Sequence, residues 1–202
     1  MNVKDAIAAR RSIRRFTDRP VGRRELLELV EAARLSPSSC NSQPWRFRLV
    51  TEREDIAFFA GPVTSRQGWL AKAGAIIVCC VDTTAYMADS RAALRGLKEA
   101  GLLTQEFMDE VEECYLKPAE QGPPALLKAA ASVNLAIAMS AMMLRAVDMG
   151  LGACWIGRVD EEMTRQRLNL PAHLGVASLL AVGWPDENPE PRPRKSLDDI
   201  LI

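Results

Sequence analysis

The sequence predicts a single mixed helix-and-strand domain, and three observations carry that prediction. Its 202 residues are enough for one domain with a substantial core. A continuous apolar run, 75–81, reads as a central buried strand, and a mostly apolar stretch, 176–184, as a final strand. Around them lie segments whose apolar residues recur at helical spacing, the longest over 125–149.

Taken in order, residues 3–10 form a short helix with Val3, Ala6 and Ile7 on one face. Val21-Gly22 leads into a second helix over 23–35, where Leu26, Leu27, Val30 and Ala33 keep helical spacing and Pro37 enforces the end. A loop rich in Ser, Asn and Gln follows. Residues 46–51 alternate Phe47 and Leu49 against Arg46 and Arg48, the pattern of a half-exposed strand. The run 75–81 is a central strand. From 83 to 120 the chain is charged and helical in tendency and carries no chemical motif. Gln121-Gly122-Pro123-Pro124 breaks it. The helix over 125–149 stops at Gly150 and Gly152, and a strand over 153–159 leaves that turn. Asp160 caps the next helix with Met163 three residues on, and Leu170-Pro171 closes it. After the strand 176–184, the tail carries Pro185, Pro189, Pro191 and Pro193, so it runs extended over a surface.

Lys+Arg and Asp+Glu both number 26, so no net field draws nucleic acid or an anionic membrane. The N-terminus lacks a signal core, because Lys4, Asp5, Arg10 and Arg11 interrupt it. The longest uncharged apolar window, 129–144, is shorter than the roughly 20 residues of a membrane span. It reads as a core or interface helix. The five cysteines are odd in number and lack paired metal spacing, so no metal site is expected. Cys79 and Cys80 read as small hydrophobes, and a reduced cytoplasmic setting fits. His173, the only histidine, has no assigned role.

Two segments carry chemistry. Arg10-Arg11-Ser12-Ile13-Arg14-Arg15-Phe16 places four guanidiniums and a hydroxyl within six residues. Arg presents a rigid fork of donors matched to oxyanions, which is equipment for a phosphate. Pro37-Ser38-Ser39-Cys40-Asn41-Ser42-Gln43-Pro44-Trp45 offers side chains that donate to and accept from a planar heterocycle. A phosphate grip and an amide-rich loop together point to a nucleotide-like cofactor.

These segments, with Gly150-Leu151-Gly152-Ala153-Cys154-Trp155-Ile156-Gly157 and Arg192-Pro193-Arg194-Lys195, resemble the FMN-dependent nitroreductases of the NAD(P)H-oxidising flavin reductase superfamily. The resemblance spans nearly the whole chain. It implies an α+β fold, with a mixed central sheet flanked by helices in an intertwined homodimer. It implies one flavin-binding domain over 1–202, whose arm, 185–202, packs on the partner subunit. No Gly-x-Gly-x-x-Gly follows the first strand, so a Rossmann reading has no support.

By resemblance, Arg10, Arg11 and Ser12 face the phosphate and ribityl chain, and Arg192 and Arg194 complete the grip with help from Lys195. Arg14 reaches the pyrimidine edge near N1 and O2, where a fixed cation stabilises the charge left by reduction. Pro37, Ser38, Ser39 and Asn41 contact the flavin of the other subunit. Ile156 and Gly157 pass flavin N5, with a backbone N–H donating to it. Arg14 and Gly157 are thus the residues assigned to chemistry. Trp45 reads as core, and Cys40 as space-filling.

The activity implied is a ping-pong cycle. NAD(P)H passes hydride to flavin N5 and leaves, and an electron-poor acceptor such as a nitroaromatic or quinone then takes the electrons. Three alternatives stand beside it: a specialised flavoenzyme that dehalogenates, fragments flavin or oxidises azolines; a non-catalytic FMN-binding module; and a phosphoanion or nucleic-acid binder. Zero net charge and the lack of an aromatic-interleaved basic surface argue against the last.

Overall fold

A computed structural model describes all 202 residues. A four-stranded sheet forms the centre: β1 (Trp45–Val50), β2 (Ala75–Asp82), β3 (Gly152–Ile156) and β4 (Leu174–Gly183), in the order β1-β2-β4-β3. Every pair is antiparallel, with Trp45 opposite Val81, Ala75 opposite Val182, and Ala153 also opposite Val182. The parallel component is a single bridge, Ser12 to Ala153, which adds the N-terminal segment to the β3 edge.

β2 is buried along its whole length because helices cover both faces of the sheet. Ile77, Cys79 and Val81 point to a core shared with α2 (Arg23–Arg34), α4 (Tyr86–Glu99) and α7 (Pro124–Asp148). Ile76, Val78 and Cys80 point to a second core with α3 (Arg53–Phe59) and α8 (Glu161–Leu168). That two-sided cover explains the unbroken apolar run in the sequence.

The first and last helical segments follow their capping chemistry. Asn2 opens α1 (Val3–Ala9) by accepting the Asp5 N–H, and Asp160 opens α8 by accepting the Met163 N–H at 2.8 Å. Pro37 lies just beyond α2. The segment 83–120 is helical, as expected: α4, then α5 (Gln105–Val111), a π turn (Glu112–Leu116) and α6 (Lys117–Gln121).

α7 is long and apolar enough to cross a membrane by length and composition. The helix matches the span expected from the sequence, 125–149, to within one residue at each end. Here it is the central core helix, burying Ala131, Leu135, Ala138, Met139, Met142 and Ala146. Leu126, Val133 and Ile137 remain exposed on its outer face.

Two elements depart from expectation. α3 was not foreseen, because only Ile56 and Phe59 of its seven residues are buried, too few to show a period. β3 stops at Ile156 rather than continuing to 159. There the chain turns away, and Asp160 N–H donates to Val63 O at 2.7 Å. The five cysteines are free thiols.

Candidate functional site

The basic N-terminal segment runs beside the β3 edge. Ile13 N–H donates to Ala153 O at 3.1 Å, and Thr17 N–H donates to Trp184 O at 2.9 Å. Two glycines permit so close an approach. A Cβ at Gly152 would meet the Ile13 side chain at 2.8 Å, and one at Gly183 would meet the Phe16 ring at 2.5 Å. The sequence singled out the Arg residues but not the glycines that let them lie there.

The tail returns over the same segment. Asp186 N–H donates to Arg15 O at 3.0 Å, and Glu187 Oε1 accepts the Arg14 N–H. Arg11 donates to Ala8 O, Arg10 O and Pro189 O. Its guanidinium therefore closes the end of α1 and straps the tail in place. The first part of the arm, through Arg194, lies on its own chain, so only the residues beyond it are left to pack on a partner.

The result is a concavity of about 440 Å³ whose polar lining is Arg10, Arg11, Ser12, Arg14, Arg192 and Arg194, with one carboxylate, Glu190. Arg15 pairs with Asp186 at 3.8 Å, whereas the five lining guanidiniums have no carboxylate within ion-pair distance. The two halves of the expected grip, about 180 residues apart in sequence, thus meet at one place. Beneath them lies the buried Cys154 thiol. Burial pushes its pKa up, partly offset by the Arg14 charge and the Ser12 hydroxyl. The Arg14 guanidinium also sits 6.0 Å from the centre of the Trp69 ring, a partner the sequence reading missed.

Ile156 is only 3% exposed and its side chain belongs to the core, so it offers a ligand its backbone alone. Strand alternation turns its side chain inward, which is compatible with the backbone role expected of this stretch. Gly157 is exposed, and a Cβ there would meet nothing within 4 Å. No contact inside this chain requires a glycine at that position.

The loop after α2 is elsewhere. Ser39 N–H donates to Asn134 Oδ1 at 2.8 Å, and Gln43 N–H donates to Ser38 Oγ at 3.0 Å. Cys40, Asn41 and Gln43 have φ of 51°, 52° and 45°, the left-handed region. Trp45 is buried core, as expected. The loop feeds the start of β1, whereas Ser12 bridges the start of β3. β1 and β3 are opposite edges of the sheet, three spacings or roughly 14 Å apart. Along the strands, Val81 and Ala75 mark a further offset of about 20 Å. Within one chain the basic concavity and the polar loop therefore occupy diagonal corners.

The Nitroreductase family model matches residues 7–184. The chain belongs to the nitroreductase family. Among curated members, an "NADH dehydrogenase" of Thermus thermophilus is 29% identical over 210 residues, covering 100% of this chain and 96% of the relative. A "5,6-dimethylbenzimidazole synthase" of Rhodospirillum rubrum is 28% identical over 186 residues, covering 90% and 82%. Among solved structures, a nitroreductase described in complex with FMN from Exiguobacterium sibiricum superposes with a TM-score of 0.81 at 23% identity, covering 100% and 97%.

Proposed function

We propose that this nitroreductase-family protein is an FMN-dependent oxidoreductase. It takes reducing equivalents from NAD(P)H and gives them to an electron-poor small molecule such as a nitroaromatic or quinone. One observation carries the reading: five guanidiniums without carboxylate partners surround one concavity, with the Ser12 hydroxyl among them. That donor set fits a phosphate ester, and its size lies within the range of small-ligand sites.

FMN held there supplies the hydride-transfer chemistry. The chain's own groups do the rest. Arg10, Ser12, Arg192 and Arg194 bind the phosphate end, and Arg11 keeps the tail in register. Arg14 holds a cation where reduction leaves negative charge. Gly157 offers an exposed backbone N–H at the end of β3. No histidine is needed, and His173 lies 3.9 Å from Asp82, outside this site.

The diagonal placement of the polar loop supports a homodimer. Ser38, Ser39 and Asn41 reach a flavin held by Arg10 and Arg14 only if that flavin belongs to a second copy. The exposed apolar face of α7 at Leu126, Val133 and Ile137, and the apolar end of the arm at Leu197, Ile200 and Leu201, supply surface for such an interface. The exposed end of the arm beyond Arg194 is the part that reaches the partner. We place the protein in the reducing cytoplasm, in keeping with five free thiols.

The test is anaerobic mixing of the FMN-loaded protein with NADPH or NADH. Bleaching of the flavin band, followed by its return on addition of a nitroaromatic or quinone, is the expected result. A flavin that stays oxidised marks a binding module. Irreversible loss of the flavin spectrum marks a flavin-fragmenting activity.

A further inference from the structure

Asn134 lies in the middle of the apolar helix α7 and is 3% exposed. Packing alone asks for no amide there. Its Oδ1 accepts the Ser39 N–H at 2.8 Å, and its Nδ2 donates to Tyr86 Oη at 3.1 Å and to Ala130 O at 3.0 Å. Tyr86 Oη in turn lies 3.0 Å from Tyr115 Oη. Tyr86 is fully buried in the first turn of α4, and Tyr115 belongs to the π turn between α5 and α6. Because Asn134 donates to the Tyr86 oxygen, the Tyr86 proton is free to go to Tyr115. Burial first, then the bond with Tyr86, pushes the Tyr115 phenol up to about 12, so it stays neutral.

The group at the end of this chain is strained. Cys40, Asn41 and Gln43 carry side chains at positive φ, which persists only where the surroundings hold it. The holds are Asn134 on Ser39 and Ser38 on Gln43. A π turn in the same network is a frequent mark of a functional segment.

We propose that Asn134 is a positioning residue. Through Ser39 it sets the shape of the 37–43 loop, and through Tyr86 and Tyr115 it couples that loop to the α4–α6 segment. A displacement of α4–α6 is thereby transmitted to the residues that meet the cofactor. The positioning itself stands on the hydrogen bonds; its consequence for FMN rests on the function proposed above.

The test uses the full-length protein with and without FMN. Amide hydrogen exchange is followed over residues 38–43, together with the FMN dissociation constant. Asn134→Leu should raise Ser39 exchange about tenfold and weaken FMN by a similar factor, the scale of one lost hydrogen bond. Asn134→Asp keeps the acceptor for Ser39, and the Tyr86 hydroxyl can turn to donate to it, while the bond to Ala130 O is lost, so loop exchange should lie between Asn134→Leu and wild type. Tyr115→Phe, at a half-buried position, should raise loop exchange by a smaller factor. Wild-type exchange in Asn134→Leu overturns the proposal. If that variant does not fold, wild-type exchange in both Tyr86→Phe and Tyr115→Phe overturns it instead. If wild type takes no FMN while Asn134→Leu still frees the loop, the FMN reading fails and the positioning role stands.

Discussion

Glu187 Oε1 accepts the backbone N–H groups of both Arg14 and Arg15, at 2.5 and 3.1 Å. One carboxylate from the tail thus pins the backbone of the basic segment without neutralising a guanidinium. The arrangement fixes the direction of Arg14 and leaves its charge available.

Glu187→Ala removes that pin. Charge-assisted hydrogen bonds are worth roughly 1.5–3 kcal/mol, and exposure places this pair at the low end. FMN affinity should fall about tenfold, read by titration of released flavin fluorescence. An unchanged affinity would show that the tail does not shape the grip.

Arg14→Gln and Arg10→Gln separate tuning from anchoring. A cation near the ring favours the anionic reduced flavin, so its loss lowers the midpoint potential. At roughly 1.5–3 kcal/mol for the charge, and about 1.4 kcal/mol per 30 mV for two electrons, the drop is tens of millivolts. Arg10→Gln should weaken FMN retention and leave the potential nearly unchanged. Equal FMN loss in both variants, with an unshifted potential in refilled Arg14→Gln, would make Arg14 part of the phosphate grip only.

Gly152→Ala and Gly157→Ala give opposite outcomes. The new methyl at Gly152 meets Ile13 at 2.8 Å, so overpacking should cost about 1–3 kcal/mol in urea denaturation and loosen FMN through the adjacent Ser12. Gly157→Ala finds open space, and stability should stay within about 0.5 kcal/mol. Slower reduction by NAD(P)H in that stable variant would place Gly157 against the flavin. An unchanged rate would remove it from the chemistry.

Much of this was legible in the sequence, and the reasons are physical. β2, α7 and the caps at Asp160 and Pro37 are local patterns, so they could be read directly. The Arg cluster was legible because it stands in a fixed order with the Ser/Asn loop, the Gly150–Gly157 segment and the basic tail; alone it reads equally as a solvated basic stretch. What escaped depends on long-range proximity. Gly152 reads as a helix terminator until Ile13 is seen against it. Trp69 has no sequence tie to Arg14, and Asn134 reads as a polar interruption until Ser39 is seen on its oxygen.

A shared site has a stringent genetic consequence. Arg10→Gln and Asn41→Leu each break every site of a homodimer. In a heterodimer of the two variants, one site receives both lesions and the other receives neither. Half of the sites should then regain wild-type FMN affinity and activity. No recovery would mean that both residues serve a site within one chain, against their placement at diagonal corners of the sheet.

The central claim is that Arg10, Arg14, Arg192 and Arg194 surround a flavin phosphate. Its most direct measurement is to purify the protein, saturate it with FMN, remove the excess, denature it and chromatograph what is released. About one FMN per chain, falling to a small fraction when Arg10 and Arg192 are both replaced by Gln, is the predicted result. Release of FAD, or of no flavin from the loaded wild type, would contradict it.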